Sequence, residues 1–81
     1  ISEKLAACAN IIPSVQSYYC WKGKCVWEKE ALLILKTSSI RIVPLMERIK
    51  TLHPDEVPCI ESFNTRGTAA FEKWVESATR M

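Results

Sequence analysis

The stretch VQSYYCWKGKCVWEKEALLILKT, residues 15–37, constrains this chain more than any other. Val15–Trp21 is rich in β-branched and aromatic residues, KGK at 22–24 is a turn signal centred on Gly23, and CVWEKEALLILKT follows as a long second strand. The pattern predicts a β-hairpin of unusual length. Tyr18, Tyr19, Trp21 and Trp27 crowd its tip with more aromatic surface than a lone ribbon can bury, and a bare ribbon is marginal in water and open to pairing at its edges. A partner subunit is the expected cover. The continuous apolar run Ala31–Leu35 reads as strand buried on both faces, toward the middle of a sheet.

The rest of the chain supplies helices to flank that hairpin. Ile1, Leu5 and Cys8 fall at i, i+4 and i+7, so Ile1–Ala9 reads as the second half of a helix, with Asn10 as its stop and Pro13 ending helical geometry. TSS at 37–39 offers capping chemistry, and Pro44 fits only the first turn of the helix that follows. Ile42, Leu45, Met46, Ile49 and Leu52 form a stripe of period 3.6 on it. HPDEVP at 53–58 closes this helix, and CIESFN at 59–64 is a short strand candidate. RGT at 66–68 reads as a turn and N-cap, and Phe71, Trp74, Val75 and Ala78 make the apolar face of a final helix. Half helix, strand, strand, helix, strand, helix is an α+β order. It fits a split β-α-β unit whose first strand and half of whose first helix are not in the chain.

Size and charge narrow the function classes. Eighty-one residues make one domain, residues 1–81, and a chain this short buries only about 60–65% of its unfolded surface. Eleven Lys and Arg interleave with nine Asp and Glu for a net charge of +2, without the basic block a nucleic-acid partner would need. No apolar run approaches the roughly 20 residues of a membrane span, and the start lacks a basic-then-apolar signal layout. Cys8, Cys20, Cys25 and Cys59 form no C-x-x-C, and Cys20 and Cys25 flank the hairpin turn. With one His beside them, a closed zinc centre is disfavoured, and reduced, semi-buried thiols are the expected state.

Several stretches together resemble one family. EKLAACANIIP (3–13), the spaced Ser17, Tyr19, Trp21, Gly23 and Lys24, the run from Glu30 to Thr37, HPDEVP (53–58), and Gly67, Phe71 and Trp74 match, in order, the motifs of the CutA divalent-cation tolerance proteins. The resemblance implies a ferredoxin-like sandwich in which long hairpins pair across a tight homotrimer. It also implies a cytoplasmic, non-enzymatic protein linked to tolerance of copper and other divalent cations. In mammals the family is associated with the membrane anchoring of acetylcholinesterase, so a protein partner is the alternative: a structural or regulatory scaffold without metal chemistry. Relative to the family, the chain lacks the first strand and half of the first helix.

Candidate residues follow from both readings. Of the family's proposed copper ligands, one lies on the absent strand, and the positions of the other two hold Leu52 and Cys59. His53 and Cys59 are soft donor types flanking one loop, able to hold Cu(I) weakly; otherwise His53 caps the C-terminus of its helix. Copper or another divalent cation is therefore the only cofactor implied. Tyr19, Trp21, Glu30 and Lys36 match the hairpin motif and mark an inter-subunit cleft for an anion, a metal complex or a small ligand; otherwise they are interface packing, with Glu30 paired to Lys36 or to an Arg. No nucleophile–base pair, no paired carboxylates and no phosphate-cradling loop emerges as a catalytic constellation.

Overall fold

The computed structural model describes residues 1–80. Strand β1 (Cys8–Trp21) and strand β2 (Lys24–Lys36) form one antiparallel ribbon, the sole sheet among the described residues. Lys22 and Gly23 alone connect them, with φ of 49° and 79°. Positive φ at both central residues is the mirror-image turn whose twist matches paired strands, and glycine supplies it without strain at the second position. The turn fixes the register Trp21↔Lys24, Cys20↔Cys25 and Tyr19↔Val26. Further down, Ile12 pairs with Leu32 and Val15 with Glu30, so Pro13 and Ser14 together face Ala31. This is a β-bulge, where a proline without an N–H is accommodated.

Strand β1 begins earlier than the spacing suggests, and Ile1–Ala9 is not a helix. A nine-residue helical fragment is unstable alone, and here the Lys4 amide instead closes a turn onto the Ile1 carbonyl (3.0 Å), with Lys4 at φ 60°. Sheet pairing then takes over from Cys8 through Asn10 and Pro13, neither of which stops the chain. The segment is tied down by the Ala7 amide on the Lys36 carbonyl (2.8 Å), the Thr37 hydroxyl on the Leu5 carbonyl (2.6 Å) and Arg48 on both Glu3 oxygens (3.1 Å).

A short 3-10 turn (Ser39–Arg41) leads into α1 (Ile42–Leu52), and α2 (Ala69–Ala78) closes the chain. Pro44 sits in the first turn of α1, where an absent N–H leaves no hydrogen bond unmade. Ile42, Leu45, Met46 and Ile49 are half-buried as the stripe predicts, whereas Leu52 is exposed. The predicted cap of α2 is present: the Thr68 hydroxyl accepts the Phe71 amide (3.4 Å). TSS does not cap α1; Thr37 and Ser38 spend their hydroxyls on tertiary contacts instead. CIESFN runs as irregular chain rather than strand, because it reaches neither edge of the ribbon.

Very little of this molecule is interior. Among the described residues, Ala6 and Val75 are the buried hydrophobic ones and Thr79 the buried polar one. Thr79 is a junction: its hydroxyl meets the Ser38 hydroxyl (2.8 Å) and the Val75 carbonyl (2.9 Å), while its own carbonyl accepts from Arg41 Nε (2.8 Å). By contrast Leu32, Leu33 and Ile34 remain 44–52% exposed. The expectation that Ala31–Leu35 lies buried on both faces therefore does not hold here, since the ribbon has no third strand and no helix covers both its sides.

Candidate functional site

Strand parity sorts the hairpin into two faces. Residues directly opposite share a face, and faces alternate along each strand. Val15, Ser17, Tyr19 and Trp21 thus stand with Lys24, Val26, Glu28 and Glu30, and the same face of β2 continues through Leu32, Ile34 and Lys36. All four cleft candidates share this face. They are not one cluster, because six residues of strand separate Glu30 from Lys36, roughly 20 Å. No Glu30–Lys36 ion pair forms; Lys36 Nζ lies instead 5.6 Å from the centre of the Phe71 ring. Trp21 receives Lys22 Nζ at 5.8 Å.

Tyr19 and Glu30 do share one electrostatic neighbourhood, and it is acidic. The Tyr19 phenol is held above its ordinary value of 10.0, first by hydrogen bonding with Glu28, then by desolvation, and then by the charges of Glu28, Glu30 and Asp55. The two-residue turn makes Glu28 the diagonal neighbour of Tyr19, which only the exact register reveals. The 53–58 loop leans toward the hairpin, with Glu56 3.6 Å from Lys22 Nζ at an exposed pair. Cys59 follows: its Sγ donates to Glu61 Oε1 (3.6 Å), and its thiol is pushed up mainly by that bond, then by the charges of Glu61 and, further off, Glu30. Carboxylates on this face disfavour an anion and favour a cationic or neutral guest.

His53 is the C-cap of α1. Its amide donates to the Ile49 carbonyl (2.9 Å) and its Nδ1 accepts the Asp55 amide (3.1 Å). The Asp55 amide thus already occupies the Nδ1 lone pair, and a metal could use that nitrogen only by displacing this bond. Beside it, Leu33, Ile49, Leu52 and Pro54 line a shallow groove of about 250 Å³, and Leu33, Ile49 and Leu52 also line a second of about 210 Å³ that reaches Ile1 and Leu5. No group of three or more His, Cys, Asp or Glu able to hold a metal occurs among the described residues. His53 and Cys59 do not make a closed centre: no third His, Cys, Asp or Glu completes a donor group with them among the described residues, and the Cys59 thiol is engaged with Glu61.

Cys8 stands opposite Lys36 on the cleft face, whereas Cys20 and Cys25 lie on the other face with Tyr18 and Trp27, whose rings pack edge-on at 5.9 Å. Cys20 and Cys25 are exposed and unbridged, with their Sγ atoms 3.3 Å apart.

Comparison with known proteins decides the lineage. The model of the CutA1 divalent ion tolerance protein family matches residues 1–78. The chain belongs to that family. It is 40% identical to "Protein CutA 1, chloroplastic" of Oryza sativa over 99% of its own length and 46% of the relative's, and 38% identical to "Protein CutA, chloroplastic" of Arabidopsis thaliana over 99% and 44%. It thus spans about half the length of these curated relatives. Among solved structures, the CutA1 divalent cation tolerance protein of Thermus thermophilus superposes with a TM-score of 0.92 at 39% identity, covering 98% of this chain and 78% of that one. The α+β, ferredoxin-like CutA architecture expected from the hairpin and helix pattern is therefore the fold of this chain, with two of its strands in the described residues. No described helix is long and apolar enough to cross a membrane.

Proposed function

We propose that residues 1–81 act as one CutA-like domain of a non-enzymatic, trimeric protein serving divalent-cation tolerance in the cytoplasm. The observation that carries this is the apolar hairpin of a family member left bare. Leu32 and Ile34, on the face of Tyr19 and Trp21, are 47% and 44% exposed, while among the described residues only Ala6 and Val75 are buried hydrophobics. A monomer with so small an interior has little to offset its chain entropy, and contiguous apolar surface of this kind is normal for an interface. Tyr19, Trp21, Glu30 and Lys36 then flank the cleft between subunits, where the carboxylates favour a cationic ligand or metal complex over an anion.

Tolerance in this reading runs through the assembly and its cleft, and not through a resident copper centre. His53 and Cys59 add no measurable share to the binding of copper or another divalent cation in this reading. Copper titration calorimetry on the wild type and on a His53→Ala, Cys59→Ser variant tests the assignment. Equal weak heats in both are expected. A tenfold or greater loss of affinity in the variant would restore a metal role to that loop. Complete absence of metal binding in the wild type would favour the alternative, a scaffold or anchoring partner for another protein.

A further inference from the structure

We propose that Cys20 and Cys25 are a modification site: a cross-strand dithiol at the hairpin tip that closes to an intramolecular disulfide by exchange with a small disulfide of the oxidised-glutathione class. Neither residue belongs to the cleft face or to the groove beside His53, so the inference is separate from the reading above.

The geometry is set by the turn. In a hairpin closed by two residues, the flanking pair Trp21↔Lys24 exchanges both backbone hydrogen bonds, and the next pair, Cys20↔Cys25, does not. Non-hydrogen-bonded partners have Cα atoms about 4.5 Å apart, within the 4.4–6.8 Å span that a disulfide bridges. Their Sγ atoms already touch at 3.3 Å, so side-chain rotation alone brings them to bonding distance and the strand ladder is undisturbed. Both side chains are exposed, and a partner covering the Tyr19 and Trp21 face would leave the opposite face open.

The chemistry balances with glutathione as the named co-reactant. One cysteine thiolate attacks a sulfur of the small disulfide, which breaks its S–S bond and releases one glutathione thiolate. The second cysteine thiolate attacks the resulting mixed disulfide on its protein sulfur. The Cys20–Cys25 bond forms and the second glutathione leaves. Two cysteine thiols are oxidised, one disulfide is reduced, and the two protons pass to the departing thiolates. The thiol pair also shares a hydrogen bond, which raises the Cys20 thiol above its ordinary value and slows the first attack at neutral pH. The second attack, between touching sulfurs, is the fast step. Cys8 and Cys59 have no such neighbour: their sulfurs interact with Asn10 and Glu61.

The test incubates the assembled protein with mixtures of reduced and oxidised glutathione, quenches in acid, alkylates free thiols and reads peptides by mass spectrometry. The wild type is expected to lose two of its four alkylations. Cys20 and Cys25 should appear joined in one chain, at a rate independent of protein concentration and reversed by dithiothreitol. In Cys25→Ser, Cys20 should accumulate as the glutathione mixed disulfide, at least about tenfold above its level in the wild type, because the resolving thiol is gone. The proposal is overturned if wild-type Cys20 and Cys25 stay alkylatable under a redox poise that glutathionylates Cys20 in Cys25→Ser. It is equally overturned if both hold stable glutathione adducts, or if the bridge forms between chains or to Cys8 or Cys59. Circular dichroism of the serine variant, expected to match the wild type, separates loss of exchange from loss of fold.

Discussion

The root of the hairpin and its tip are built from the same two strands yet are held in different ways. At the root, polar contacts from distant segments converge: Thr79 joins α2 to Ser38 and Arg41, and Thr37 and Arg48 hold the N-terminal segment through Leu5 and Glu3. At the tip the contacts are local: the turn and its strand pairing, the Cys20–Cys25 and edge-on Tyr18–Trp27 pairs, Lys22 over Trp21 and an exposed Lys22–Glu56 contact. The root spends specific hydrogen bonds on order within the chain. The tip and the adjoining apolar stretch of β2 present surface that the described residues leave uncovered. The difference places intrachain order at the root, and in the proposed trimer it leaves association to the hairpin.

Charging the bare face gives the largest expected effect. Leu32→Lys with Ile34→Lys should weaken association by roughly a hundredfold or more, because each lysine would have to be desolvated unpaired in the interface. Sedimentation velocity reads this directly, and an unchanged assembly would show that the face is not an interface. At the root, Thr79→Val keeps the shape and removes the hydroxyl from Ser38 and the Val75 carbonyl, and should cost about 1–3 kcal/mol of unfolding free energy in urea melts. A loss confined to a few tenths would deny the junction its role. The tip answers more weakly. Gly23→Ala meets no atom within 4 Å but must hold φ at +79°, so only the left-handed penalty of about 1 kcal/mol applies. A much larger loss would mean that something packs on the turn. Smallest of all, Glu28→Gln removes the leading cause of the raised Tyr19 phenol, so its absorbance titration should move down toward 10.0. No movement would place Glu28 outside its reach.

The same division explains what could be read in advance. The hairpin, the Ile42–Ile49 stripe and the Thr68 cap are local patterns of periodicity, turn chemistry and capping, and each is legible in a few consecutive residues. The order of motifs sufficed for the family, since it spans the whole chain. What escaped depends on contacts between remote segments. Ile1–Ala9 carries a helical spacing, but Lys36 and Thr37, some thirty residues on, draw it into a turn and a strand. CIESFN looks like a strand and finds no edge to join. Glu30 and Lys36 suggest an ion pair by charge, yet the strand rise keeps them apart while Phe71 takes the lysine. Within the candidate site, the shared face of Tyr19 and Glu30 follows from strand parity, whereas Glu28 and the touching thiols of Cys20 and Cys25 emerge only once the register is known.

The central claim is that this hairpin requires other copies of the chain to cover it. Sedimentation equilibrium of the protein at micromolar concentration tests it most directly. A single species of three times the chain mass of 9.2 kDa is the predicted result. A folded monomer that unfolds cooperatively at the same concentration would contradict it.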